Sequence, residues 1–141
     1  MNVSVLATNV FLRKVVAISS LSILLVGCSK GPSGDDMLKA YSDSDATKLG
    51  WAIGFMPLLK SNPDAVKRLG LENVKSESEL IERLGKRLIL DKSECVDASG
   101  EPGFVCTFRS GFLETDGTKT YSEAKSGRFY KIDSVWLYED R

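Results

Sequence analysis

The sequence contains no histidine, and this absence excludes several classes of enzyme. Ser-His-Asp and Cys-His catalysis need an imidazole as the general base, and without imidazole ligands a zinc site has little support. The chain also lacks a P-loop, a dinucleotide fingerprint and a G-x-S-x-G elbow. Carboxylates remain, but they lie near predicted helix starts, where acidic residues usually act as caps or solvated charge; they are Asp43, Asp45, Glu77, Glu79 and Glu82. We therefore expect a non-catalytic protein with no metal and no cofactor.

Long hydrophobic runs are also missing. The most apolar stretch, residues 15–26, is 12 residues long, contains three serines and follows Arg13 and Lys14. A membrane-spanning helix needs about 20 apolar residues. A cationic region, a short apolar core and a small residue after it are typical of a secretory signal peptide.

Leu25-Val26-Gly27-Cys28, at the end of this stretch, resembles the lipobox of bacterial lipoproteins. The resemblance implies that Cys28 receives a diacylglyceryl thioether, that the chain is cut before it, and that the new N-terminus is acylated. Two or three acyl chains anchor a protein stably. Ser29, in place of an aspartate, implies the outer membrane by similarity to sorted lipoproteins. The alternative is an ordinary secretory signal followed by an accidental cysteine.

These signals divide the chain into a signal peptide (1–27), a lipidated tether (28–34) and a single domain (35–141). The mature chain of 114 residues has room for one core. Signal removal takes away two cations and no acid, which leaves 17 basic against 19 acidic residues, a net charge of −2. Without a clustered basic face, nucleic acid is not expected as a partner.

Cysteine is scarce: three residues in the whole chain. With Cys28 committed to lipid, Cys95 and Cys106 are left as a pair in an oxidising compartment. The turn-rich segment 99–102 lies between them and sets them opposite each other across an antiparallel pair. We expect a disulfide that stabilises the domain by about 2–3 kcal/mol; the alternative is two reduced, buried thiols.

From about Asp35 to Gly85 the signals are helical. Asn62 followed by Pro63 predicts a helix over 63–69, and Ser76 with Glu79 forms a capping box for another. Pro57 either kinks a helix or begins a new one. Apolar contacts are expected from five side chains of the first part: Leu38, Tyr41, Leu49, Ile53 and Met56.

After about Leu88, β-branched and aromatic residues alternate with turn signals. Four strands are predicted, over 88–97, 103–114, 118–131 and 134–139. In the second strand, period-two spacing places four residues on the face that packs against the helices: Phe104, Cys106, Phe108 and Phe112.

Two segments, 103–108 and 127–131 running into 135–137, are similar to the strands of cystatin-like and NTF2-like rolls among small secreted lipoproteins. The resemblance implies an α+β fold in which short N-terminal helices pack on a four-stranded antiparallel meander. Pro57 and Pro63 depart from it, because such rolls tend to have one long helix.

The expected function is that of a lipid-anchored periplasmic module, on the outer membrane, that binds another protein of the cell envelope. Trp51 and Trp136 are either core residues or aromatic anchors for a partner. The alternative is a small-ligand carrier, whose cavity would be lined by Phe104, Phe108 and Phe112.

Overall fold

A computed structural model describes residues 31–141, in which four helices precede five strands. Cys28, the signal peptide over 1–27 and the first part of the tether lie outside the described residues. None of the described helices is long and apolar enough to cross a membrane.

The helices are α1 (Gly34–Asp43), α2 (Asp45–Ser61), α3 (Pro63–Leu69) and α4 (Glu77–Arg87). The prediction for 63–69 is confirmed because both ends are set locally: the Asn62 side chain accepts a hydrogen bond from the Ala65 amide, and Gly70 adopts the left-handed conformation that ends α3. α2 continues through Pro57, so the next helix begins only at Pro63.

Residues 31–33, assigned to the tether by sequence, pack on the domain. Gly31 lies against the Phe104 ring, and Pro32 is fully buried and accepts a hydrogen bond of 2.8 Å from Lys92. The Ser33 hydroxyl accepts from the Asp36 amide, while the Asp36 carboxylate accepts from the Ser33 amide. The Ser33 hydroxyl also donates to the Asp36 carboxylate, at 2.7 Å, and this bond, followed by that from the Ser33 amide, lowers the pKa of Asp36. The folded part therefore includes the end of the predicted tether.

The strands are β1 (Leu88–Asp97), β2 (Phe104–Leu113), β3 (Lys119–Tyr121), β4 (Lys125–Ile132) and β5 (Val135–Asp140). They form one antiparallel sheet in the order β1-β2-β4-β5, with β3 paired only to β2. The α+β class is confirmed. The third predicted strand is two strands, because residues 122–124 belong to neither β3 nor β4. The Ser122 amide and hydroxyl at this break both donate to the Ser110 carbonyl, at 2.8 and 2.9 Å.

The core lies between one face of the sheet and the helices. Cys106 and Phe108 of β2 and Phe129 of β4 are fully buried there. From the helices come three further side chains that have essentially no exposed surface: Met37, Leu80 and Leu84. The predicted inward face of β2 is therefore confirmed at its centre.

Candidate functional site

A groove runs between strand β5 and the corner where α1 meets α2; we call it the β5 groove. Its volume is about 440 Å³. All of β5 (Val135–Asp140) lines one side, with Tyr130 of β4 beside it, and Ala40 and residues 43–46 line the other. Since consecutive β5 residues point to opposite faces of the sheet, a groove that touches all six follows the strand's edge.

β5 is an edge strand of the described sheet, because it pairs with β4 and with no other described strand. The outward N–H and C=O groups of such a strand are available to another chain. Val135, at the start of the strand, is 55% exposed. The Trp136 ring packs on Phe104, with ring centroids 6.1 Å apart, and the Lys131 ammonium lies 4.7 Å from its centroid.

Four carboxylates line the groove: Asp43, Asp45, Glu139 and Asp140. Lys39 pairs with the first, at 2.7 Å, and Arg128 pairs with Glu139, at 2.6 Å. The remaining two, Asp45 and Asp140, form no ion pair within residues 31–141. The groove is therefore acidic beside its apolar floor.

Tyr138 joins the floor of the groove to its acidic end. Its hydroxyl donates a hydrogen bond of 2.6 Å to Asp140. Partial burial, followed by this bond to Asp140, raises the pKa of Tyr138. The hydroxyl therefore stays protonated at neutral pH and acts as a donor, not as a base.

A smaller pocket of about 250 Å³ adjoins the groove and shares Ala46, Tyr138 and Asp140 with it. The Lys125 ammonium contacts the Tyr41 hydroxyl here and lies 4.2 Å from the centroid of that ring. This arrangement holds one cation against an aromatic surface. The pocket is therefore suited to binding and orienting a part of the molecule that occupies the groove.

The five aromatic residues singled out from the sequence belong to three separate clusters. Phe108 is fully buried at the centre, where its ring meets Tyr41 and Phe129. At one end of β2, Phe112 packs on Trp51 and Phe55; at the other, Phe104 packs on Trp136.

The two tryptophans border the site, whereas the three phenylalanines do not. Trp136 lines the β5 groove and Trp51 lines the adjoining pocket, but neither space is lined by Phe104, Phe108 or Phe112. The ligand cavity that was expected to be lined by these three phenylalanines therefore does not coincide with the β5 groove or with the adjoining pocket. Their rings pack against other aromatic side chains of the helices and the sheet instead.

Cys95 and Cys106 face each other across β1 and β2, in the register expected from the sequence. Their sulfur atoms are 2.01 Å apart, so the two residues form a disulfide. Cys106 is fully buried and touches the core, and Cys95 packs beside it. The disulfide lies away from the β5 groove and fastens the opposite edge of the sheet.

Sequence reasoning missed Val135 and Asp140 as site residues. The alternation over 135–140 predicts a strand, but nothing local says that the strand lies at an edge or that a helix corner stands opposite. The expectation of core contacts was also wrong for Leu49, Ile53 and Met56, which are exposed on α2. This helix is apolar on all sides, so its pattern does not identify the buried face.

Comparisons with known proteins yield no relative: no family model, curated protein or solved structure matches the chain. The candidate site is therefore defined by geometry and charge. Its elements, as far as the described part of the chain shows them, are a free strand edge, an apolar floor and two carboxylates without an ion pair.

Proposed function

We propose that this chain is a lipid-anchored protein of the bacterial cell envelope that acts by binding another protein in the β5 groove. The lipobox-like residues 25–28, after a short apolar core and two cations, support the anchor. Ser29 supports an outer-membrane location facing the periplasm. The proposal includes no catalytic step. The described groove residues offer a protonated Tyr138 hydroxyl and carboxylates, but no general base paired with a nucleophile.

The anchor would hold the groove near the membrane. Because Gly31 already packs on the domain, at most residues 28–30 separate the lipidated position from the described folded part. At no more than about 3.5 Å per residue, they span about 10 Å. The partner is therefore expected at the membrane surface, within reach of the anchored domain.

The single observation that carries the binding proposal is that all six residues of a free edge strand line one groove. A partner segment of six residues in extended conformation, about 20 Å long, would pair with β5 by strand addition. Val135 and Trp136 would receive its apolar side chains. Asp45 and Asp140 favour a segment that also carries basic residues, so binding should weaken with salt.

A small ligand is the second candidate occupant. The volume of about 440 Å³ falls within the range of about 300–1,000 Å³ for small-molecule pockets. Such a ligand would combine an apolar body with a positive charge, for the same reasons of lining and charge. The two candidates are distinguished by whether a protein or a small molecule is recovered together with the chain.

The test compares two valine substitutions in the full-length lipoprotein. Val135→Lys places a cation in the groove, while Val96→Lys changes a valine of similar exposure, 58%, on β1 at the far edge of the sheet. We expect solubilised envelopes to yield a partner that crosslinks to the wild-type chain and to Val96→Lys but not to Val135→Lys. Thermal unfolding of both variants should match the wild type.

Equal recovery of that partner with both variants would place binding elsewhere and contradict the proposal. If no protein is recovered and a small molecule copurifies with the wild type but not with Val135→Lys, the occupant is a ligand. That result would replace the protein-binding function by the second candidate.

A further inference from the structure

Within residues 31–141, helix α2 leaves an apolar face uncovered. Leu49, Ile53 and Met56 have 60%, 68% and 36% of their surface exposed. They stand four and three residues apart, so they form one ridge along the helix. The opposite side of α2 carries the buried Trp51, which is two residues from both Leu49 and Ile53. An exposed apolar ridge of this length is typical of a contact surface.

Two glycines form a shallow channel beside the ridge. Gly50 and Gly54 lie one turn apart, and a Cβ added at either position would meet no atom within 4 Å. Small residues at this spacing let a second helix approach the backbone closely. The ridge and channel therefore fit another helix that carries its own ridge and channel.

The charges at the two ends of the same face identify which helix fits. Asp45 begins α2 and Lys60 lies in its last turn, both exposed, and neither forms an ion pair within residues 31–141. In an antiparallel pair of α2 helices, the Asp45 end of each copy meets the Lys60 end of the other. A parallel pair would bring like charges together.

We propose that α2 is the interface of a homodimer, in which two α2 helices pair antiparallel about a two-fold axis. When Leu49 lies opposite Met56 of the second copy, the same register sets Asp45 opposite Lys60, and Gly50 falls within one residue of Gly54. Each contact then occurs twice, which is the condition for a closed symmetric interface. This inference goes beyond the proposed function, because Leu49, Ile53 and Met56 do not line the β5 groove, which shares Asp45 alone among the interface residues named here.

The interface is small. A helix of 17 residues is about 25 Å long, and a contact of one helix pair belongs to the low end of specific interfaces, below about 1,200 Å² in total. Such a dimer is weak in dilute solution. Two copies anchored in one membrane share a surface, which raises their effective concentration.

The experiment is register-specific cysteine crosslinking of the full-length chain in intact envelopes. Leu49→Cys and Met56→Cys chains carrying different tags are coexpressed and oxidised. We expect a disulfide product that carries both tags, and none from either variant alone. In the antiparallel register, two copies of position 49 are seven residues apart, about 10 Å along the axis, which is too far for a disulfide.

Ile132→Cys, at a half-exposed apolar position on β4, measures random collision. Adding Ile53→Lys to both tagged chains should reduce the mixed product to the level of Ile132→Cys. The Ile53 side chain is mostly exposed, so this change leaves the core and the melting temperature intact. Recovery of the partner of the β5 groove is expected to persist with Ile53→Lys, which separates the two proposals.

Products of Leu49→Cys alone and of Met56→Cys alone, with no mixed product, would show a parallel pair and overturn the proposal. A mixed product no stronger than that of Ile132→Cys would also overturn it. In that case the α2 face is covered by the membrane surface or by a different protein.

Discussion

Gly111 is a residue at which the backbone of a neighbouring strand leaves no room for a side chain. It lies in β2 between Ile89 of β1 and Tyr121 of β3. A Cβ atom there would be 2.0 Å from the Thr120 carbonyl oxygen and 2.8 Å from the Tyr121 Cα. The atoms in the way belong to the main chain, so they cannot rotate aside. The observed pairing of β3 with β2 therefore requires a glycine at position 111.

We predict that Gly111→Ala destabilises the fold by about 1–3 kcal/mol, the usual cost of overpacking. Gly85→Ala is the matched control, because a Cβ at that position in α4 meets no atom within 4 Å. The control should stabilise by about 0.5–1 kcal/mol, since alanine favours a helix interior. Urea unfolding measures both, and equal effects of the two changes would show that β3 is not held as described.

At the scale of the element, α2 and α3 differ in where they place proline. Pro63 is the first residue of α3, where its missing N–H has no helical partner to lose. Pro57 lies inside α2, where the missing N–H leaves the Ile53 carbonyl without its helical donor. The two residues therefore make opposite contributions to their helices.

Pro57→Ala is predicted to stabilise the protein by about 1–2 kcal/mol, because regained helical bonding outweighs the added freedom of the unfolded chain. Pro63→Ala should be neutral or slightly destabilising for the same two reasons. Thermal unfolding followed by circular dichroism distinguishes them. A lower melting temperature for Pro57→Ala would mean that the proline is required by contacts outside the helix.

Helix α3 was predictable and the orientation of α2 was not. Asn62, Pro63 and Gly70 act within one turn of the ends that they set, so the sequence is sufficient. In α2, apolar residues occupy all sides, and contacts with the rest of the fold, such as that of Trp51 with Phe112, decide that Trp51 is buried and Ile53 exposed. Local signals thus determine where a helix starts, while packing determines which face it buries.

At the scale of the whole molecule, two cysteine functions should be separable. The disulfide between Cys95 and Cys106 closes a loop with a sequence separation of 11, and its reduction should cost about 2–3 kcal/mol of stability. Cys28→Ser should leave the melting temperature unchanged, because the described core is built from residues 31–141, but it should release the chain from membranes.

Membrane fractionation and thermal unfolding of the wild type and of Cys28→Ser check both the lipid anchor and the role of the disulfide. The double variant Cys95→Ala/Cys106→Ala serves as the control, since it should stay in the membrane fraction and be insensitive to reductant. A Cys28→Ser chain that is processed and still sediments with membranes would contradict the lipid anchor. An unchanged melting point of the wild type under reducing conditions would contradict the stabilising role of the disulfide.

The sequence by itself determined the order of helices and strands, the ends of α3, the cysteine pair and the inward face of β2, because capping, turn chemistry and period-two alternation act over a few residues. Only the tertiary structure decided that β5 is an edge, that Tyr138 and Asp140 meet the α1–α2 corner, and that Leu49, Ile53 and Met56 face outward. These features depend on which surfaces remain uncovered after the chain has packed, and that follows from contacts between residues far apart in the sequence.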